Sequence, residues 1–139
     1  MLRIILATTL LFFSLKATQF VVIANKESKI DKGLDANEIR RIYLKKRRYI
    51  DTLKLVPLNL SASDPLRESF QKEVLSMSDR QLASYWAKQH YLGHRPPLTM
   101  MSVESVLAFV REVNGAIGYV PKEAVDASVK IIYEYKEEK

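Results

Sequence analysis

Apolar positions along this 139-residue chain recur with two different periods, and segments of each kind alternate. Residues 20–24 form a short continuous apolar run rich in β-branched side chains, which predicts a strand covered on both faces. Ile39, Ile42 and Tyr43 then fall at helical spacing behind Asp35, a good N-cap. Glu38 is placed for a capping box, and Leu34 with Ile39 for a hydrophobic staple. Residues 55–60 predict a second strand, in which Pro57 points to an edge, an end or a bulge. Asp64 and Pro65 open the next helix, with Leu66, Phe70, Val74 and Met77 on its inner face. Ser78 and Gln81 make a further capping box ahead of a helix expected to bury Leu82, Tyr85 and Trp86.

Gly93 is expected to stop that helix, and Pro96-Pro97 to force an extended link into residues 98–101. Ser102 caps a helix whose stripe of Val103, Val106, Leu107, Val110 and Val113 follows the 3.6-residue period. Segment 114–120 holds two of the chain's four glycines, Gly115 and Gly118. Glycine suits the left-handed turn that ends many helices and also permits close backbone approach. The segment therefore predicts a helix stop at Asn114-Gly115 and then a buried strand over 116–120. Residues 129–135 alternate enough for a strand with one wet face. The expected fold class is α/β, a mixed, largely parallel sheet with helices on both faces. Ligands of such sheets collect at the carboxyl ends of strands. That singles out the loops at 25–28 and 61–65, Met101 with Ser102, and Pro121 with Lys122.

Residues 1–17 stand outside this pattern. Arg3 precedes an uncharged apolar run over 4–15 that ends near Ala17, the form of a signal peptide. The run is short for a bilayer-spanning helix, so cleavage near Thr18 is expected, with an uncleaved anchor as the alternative. The expected organisation is a leader at 1–17, one α/β domain at 18–135 and a charged tail at 136–139. There is no cysteine, hence no disulfide and no lipid-bearing residue after the leader, and no stable membrane insertion is expected once the leader is cleaved. Lys and Arg number 22 against 16 Asp and Glu, a net charge of +6; without Arg3 and Lys16 it is 20 against 16, or +4. Lys45-Lys46-Arg47-Arg48 concentrates the excess. Such a run can contact nucleic acid, an acidic partner or an anionic membrane surface, but a solvated loop at a helix C-terminus, where the dipole favours cations, accounts for it. Export argues against nucleic acid as a partner.

The strongest candidate for chemistry is Ser61-Ala62-Ser63-Asp64-Pro65-Leu66-Arg67. A small-residue loop feeding a helix N-terminus offers backbone N–H groups to an anion. Hydroxyls of Ser61 and Ser63 add donors, and Arg67 supplies a charged fork. Asp64 opposes binding by capping the same amides and by its own charge, although a carboxylate can accept the proton of monohydrogen phosphate. Ser102, at the next strand end, completes the candidate set. His90 and His94 have a metal-ligand spacing, but Gly93 and Pro96-Pro97 break the helix there and no third ligand is evident, so no metal is expected. Tyr85, Trp86 and Tyr91 could stack on a sugar or base, yet their spacing assigns most of that surface to the core. Nucleophile-elbow, phosphate-loop and cysteine-nucleophile patterns are missing, and the serines have no paired base. No catalytic residue and no cofactor is therefore expected, and the sequence does not read as an enzyme.

Val56-Pro57-Leu58-Asn59-Leu60-Ser61, Leu66-Arg67-Glu68-Ser69-Phe70, Tyr85-Trp86, Gly93, Pro96-Pro97 and Gly115-Ala116-Ile117-Gly118-Tyr119 occur in an order that resembles one family. It is similar to the phosphate-binding proteins of bacterial ABC importers, in a small, PstS-like branch of the periplasmic binding protein superfamily, over residues 20–132. The resemblance implies a single lobe of a type II periplasmic binding protein, with phosphate or another small oxyanion as ligand. It also implies an ABC permease or other protein as partner and a periplasmic or secreted location in a bacterium. In that family the loop matching 61–67 carries a Ser-Gly-Thr run, preceded by arginine, that grips phosphate. Here Asp64-Pro65-Leu66 or Ser63-Asp64-Pro65 stands in its place. One lobe leaves an anion half solvated where two would close over it, so weak binding is expected unless a partner or second copy supplies the other wall. The alternative is a ligand-less interaction module of the same fold that docks a protein through its basic run or loop face.

Overall fold

The computed structural model of the chain describes residues 19–136. The expected leader at 1–17 lies outside these residues, as do positions 137–139 of the expected tail. The elements are β1 (Phe20–Asn25), α1 (Ala36–Tyr43), β2 (Tyr49–Ile50), β3 (Leu53–Lys54), β4 (Val56–Leu60), α2 (Pro65–Phe70), α3 (Asp79–Tyr91), β5 (Leu98–Met100), α4 (Val103–Glu112), β6 (Ala116–Pro121) and β7 (Val129–Glu134). A π-helical turn, Gln71–Leu75, continues α2 and ends at Ser76 in the left-handed conformation. The capping boxes at Asp35 with Glu38 and at Ser78 with Gln81 both form.

The main sheet has five strands in the order β5-β4-β6-β1-β7. β4 is parallel to β5 and β6, and β1 is antiparallel to β6 and β7. Four strands thus point one way while β1 runs against them, a mixed sheet largely parallel in direction. Pro57 pairs only with Ile117 of β6, because β5 begins alongside Leu58. The strand is locally an edge where proline has no N–H to give. The small hairpin β2-β3, turning at Asp51 with φ 52°, is too short to carry a readable period.

Alternation along β6 sorts the two faces. A Cβ at Gly118 would meet the Val106 and Val110 side chains of α4, so that face carries α4. Tyr119 points the opposite way, where its ring stacks on Phe70 at 4.0 Å and Phe70 lies 4.6 Å from Tyr43 of α1. Phe20 joins this cluster edge-on to Phe70 at 5.7 Å. All four rings are buried, each worth about 1.5–3 kcal/mol of burial.

Three expectations are corrected. Gly115 is not in a left-handed turn; its Cβ would stand 1.9 Å from the Lys54 carbonyl oxygen, so the position demands glycine through close backbone approach. The loop at 25–28 follows the reversed strand β1 and therefore sits at the opposite end of the sheet from the loop after β4. Its polar groups serve structure, since Asn25 Nδ2 donates to the carbonyls of Val110 at 2.8 Å and Arg111 at 3.0 Å, closing the end of α4. Finally, no residue of α3 is buried, although Leu82, Tyr85 and Trp86 were expected in the core. Helix α3 has a concavity on either side; Leu82 is partly buried against the core, while Trp86 lines one concavity and Tyr85 the other.

Candidate anion-binding site

The carboxyl ends of the adjacent parallel strands β4 and β5 bring the loop 61–64 and the turn Met101-Ser102 to one edge of the sheet. Asp64 N–H donates to Ser61 O at 2.9 Å, which tightens the loop into a turn. Ser61 Oγ and Ser63 Oγ lie 3.2 Å apart and exposed. Asp64 is the N-cap of α2, with Oδ1 accepting from Leu66 N at 2.8 Å, and Pro65 fills the first helical position. One of the amides that an anion would use is thereby taken, and the proline supplies none.

Arg67 reaches back across the loop, and its Nη1 donates to Leu60 O at 2.8 Å. The guanidinium therefore ties the end of β4 to α2, and Arg67 also lines the cleft together with Ala62 of the loop. Ser102 caps α4, with Oγ accepting from Ser105 N at 3.1 Å and lying 2.8 Å from Ser105 Oγ. Ser61, Ser63 and Asp64 thus share one loop with Arg67 in the first turn of the helix that follows it, whereas Ser102 is engaged with its own helix.

Behind the loop opens a cleft of about 380 Å³, to which Arg67 and Ala62 contribute together with Asn59, Thr99, Trp86 and Pro97. Its floor is held by two buried phenols. Tyr43 OH donates to Leu58 O at 2.8 Å, and Tyr119 OH accepts from Leu60 N at 3.1 Å while donating to Asn59 Oδ1. Burial pushes both phenol pKa values up, and the pair's mutual repulsion raises that of Tyr43 further. Both stay neutral at physiological pH and act as struts rather than acids or bases. Sequence reasoning missed Asn59, Tyr119 and the wall formed by Trp86. The alternation of 116–120 was the available signal, since it sets Tyr119 on the face shared with the helix that Asp64 caps.

His94 Nδ1 lies 2.8 Å from Gln89 Oε1, while His90 is exposed. Among the described residues no three His, Asp or Glu side chains converge as a metal site, and no helix is long and apolar enough to cross a membrane.

Comparison with known folds bears on this arrangement. A Clostridium perfringens protein assigned as a phosphate ABC transporter substrate-binding protein, with bound phosphate, superposes with a TM-score of 0.67 at 19% identity, over 84% of this chain and 45% of that one. An ABC-type phosphate transport receptor from Vibrio cholerae gives 0.64 at 17%, over 84% and 50%. PstS from Borrelia burgdorferi gives 0.64 at 14%, over 82% and 46%. Most of the chain thus shares the fold of one part of each of these proteins. The chain spans about half the length of these neighbours. No protein-family model and no curated protein matches the sequence.

Proposed function

We propose that this chain is an exported solute-binding lobe of the phosphate-importer type, which binds phosphate or a related oxyanion at the loop 61–67. The carrying observation is that most of the chain superposes on phosphate-binding proteins while this loop, with Arg67 beside it, lies at the carboxyl ends of adjacent parallel strands. Ser61 and Ser63 would donate hydroxyl hydrogens, and Arg67 would supply charge through the nitrogens not bound to Leu60. Ser102 would approach from the neighbouring strand end. Asp64 holds affinity down. A permease or another protein would cover the solvated side. Export is tested by mass spectrometry of the secreted chain, where a terminus near Thr18 supports it and an intact Met1 in membranes contradicts it.

Calorimetric titration of two variants tests the site. Asp64→Ser keeps a cap, removes the repulsive charge and should raise oxyanion affinity. Arg67→Ala should lower it by about 1.5–3 kcal/mol, the scale of a charged hydrogen bond, with melting curves confirming that each variant is folded. Unchanged affinity in both folded variants would remove the loop from the site. The second reading, a ligand-less module docking a protein partner, would then gain, and it draws on the observation that Asp64 already accepts from Leu66 N and Arg67 already donates to Leu60 O.

A further inference from the structure

The opposite side of α3 from the Trp86 cleft carries Arg80, Ser84 and Lys88, spaced four apart and so aligned in one stripe, with Tyr85 beside them. With Arg40 of α1 they line a shallow concavity of about 560 Å³ that shares no residue with the cleft. Three of its side chains are cationic and none is acidic. The carboxylates of the two helices that line it are engaged elsewhere: Asp79 of α3 accepts from Gln71 Nε2 at 2.8 Å and lines the other cleft, and Glu38 of α1 pairs with Arg47 at 3.8 Å.

The concavity is also fixed in shape. Arg40 Nε donates to Leu75 O at 3.0 Å, which orients the guanidinium, and Tyr85 OH donates to Leu44 O at 2.5 Å, locking α3 against the end of α1. Arg80 and Lys88 are exposed, and among the described residues neither has a protein partner. Eight residues of helix separate them, about 12 Å. A volume of this order suits a small molecule. A phosphate group carries about −1.5 to −2 at neutral pH against −1 for a carboxylate, so phosphates better match three cations in so short a span.

We propose that this concavity binds a small molecule bearing two or more phosphate groups, with Arg40 and Arg80 as forks and Lys88 as a point charge. The site is separate from the loop 61–67 and does not depend on it. Calorimetry with inorganic tripolyphosphate, on the full chain and on the Arg80→Gln/Lys88→Gln variant at fixed ionic strength, tests it. The parent should bind, and the variant should bind at least about tenfold more weakly with an unchanged ligand-free melting temperature, because both side chains are exposed. Orthophosphate titrations of the same two proteins should agree with each other; if neither shows heat, the loop reading fails while this one stands. Equal tripolyphosphate affinity in parent and variant would overturn the proposal. So would binding seen only with polyglutamate or with anionic phospholipid vesicles.

Discussion

Gly115→Ala probes the contact that brings β6 against the hairpin preceding β4. The added Cβ would lie 1.9 Å from Lys54 O and 3.0 Å from Lys54 C, both backbone atoms that no rotamer change can move. Carbon and carbonyl oxygen rest about 3.3 Å apart, so the two segments must part by over ~1 Å. Gly115 O accepts from Val56 N at 2.8 Å at the start of the β4–β6 ladder, and parting the segments loosens that bond. Overpacking costs about 1–3 kcal/mol. A buried amide left without its partner adds about 1–3 kcal/mol. Part of each is relieved by movement, so the expected loss is about 2–5 kcal/mol, or roughly 10–20 °C in melting temperature for a domain of this size. Urea unfolding followed by circular dichroism measures it. Gly93 is the control, since its φ is +79° and nothing lies within 4 Å of an added Cβ. Alanine there should cost only the left-handed backbone, about 1–2 kcal/mol, and asparagine should recover part of that. At Gly115 asparagine should be worse than alanine. A loss under about 0.5 kcal/mol at Gly115, or recovery by asparagine, would refute the close-approach account.

Trp86→Ala should cost about 1–2 kcal/mol rather than the 3–5 kcal/mol of a core aromatic, because the ring is a partly buried cleft wall; urea unfolding showing the larger loss would contradict this. The buried phenols Tyr43 and Tyr119 have folded pKa values raised above their ordinary ~10, so their contribution is intact below about pH 10 and is lost as pH rises further. Above their ordinary pKa, stability should fall by up to about 1.4 kcal/mol per pH unit for each tyrosine, and Tyr119→Phe should remove one such share of the slope; an unchanged slope between about pH 10 and 11 would contradict it.

Much of the fold is written in local pattern. The stripe that buries Val106, Leu107 and Val110, the apolar run of β1 and the caps at Asp35, Ser78 and Ser102 each depend on neighbours within a few residues, which a sequence displays directly. The direction of β1 is different, because nothing local to Phe20–Asn25 says that it opposes β6, and with that reversal the loop 25–28 changes ends. Helix α3 shows the same limit: its apolar spacing is genuine, but whether Trp86 meets core or cleft depends on Pro96, Pro97 and β4. At the candidate site, Asp64 as a cap was legible from the Asp-Pro step. The strut from Arg67 to Leu60 and the bonds of Tyr119 to Leu60 and Asn59 span elements, and no sequence spacing records them.

Trp86 is the sole tryptophan of the chain and shares the cleft with Arg67, so its fluorescence reports on the candidate site without a label. The most direct measurement is a titration of the purified protein with orthophosphate, followed by Trp86 emission and, in parallel, by calorimetry. A saturable emission change and matching heat, both moved to at least about tenfold higher phosphate in folded Arg67→Ala, are the predicted result. No heat, no emission change and no shift in melting temperature at millimolar phosphate would contradict the claim that this lobe binds an oxyanion at the loop 61–67.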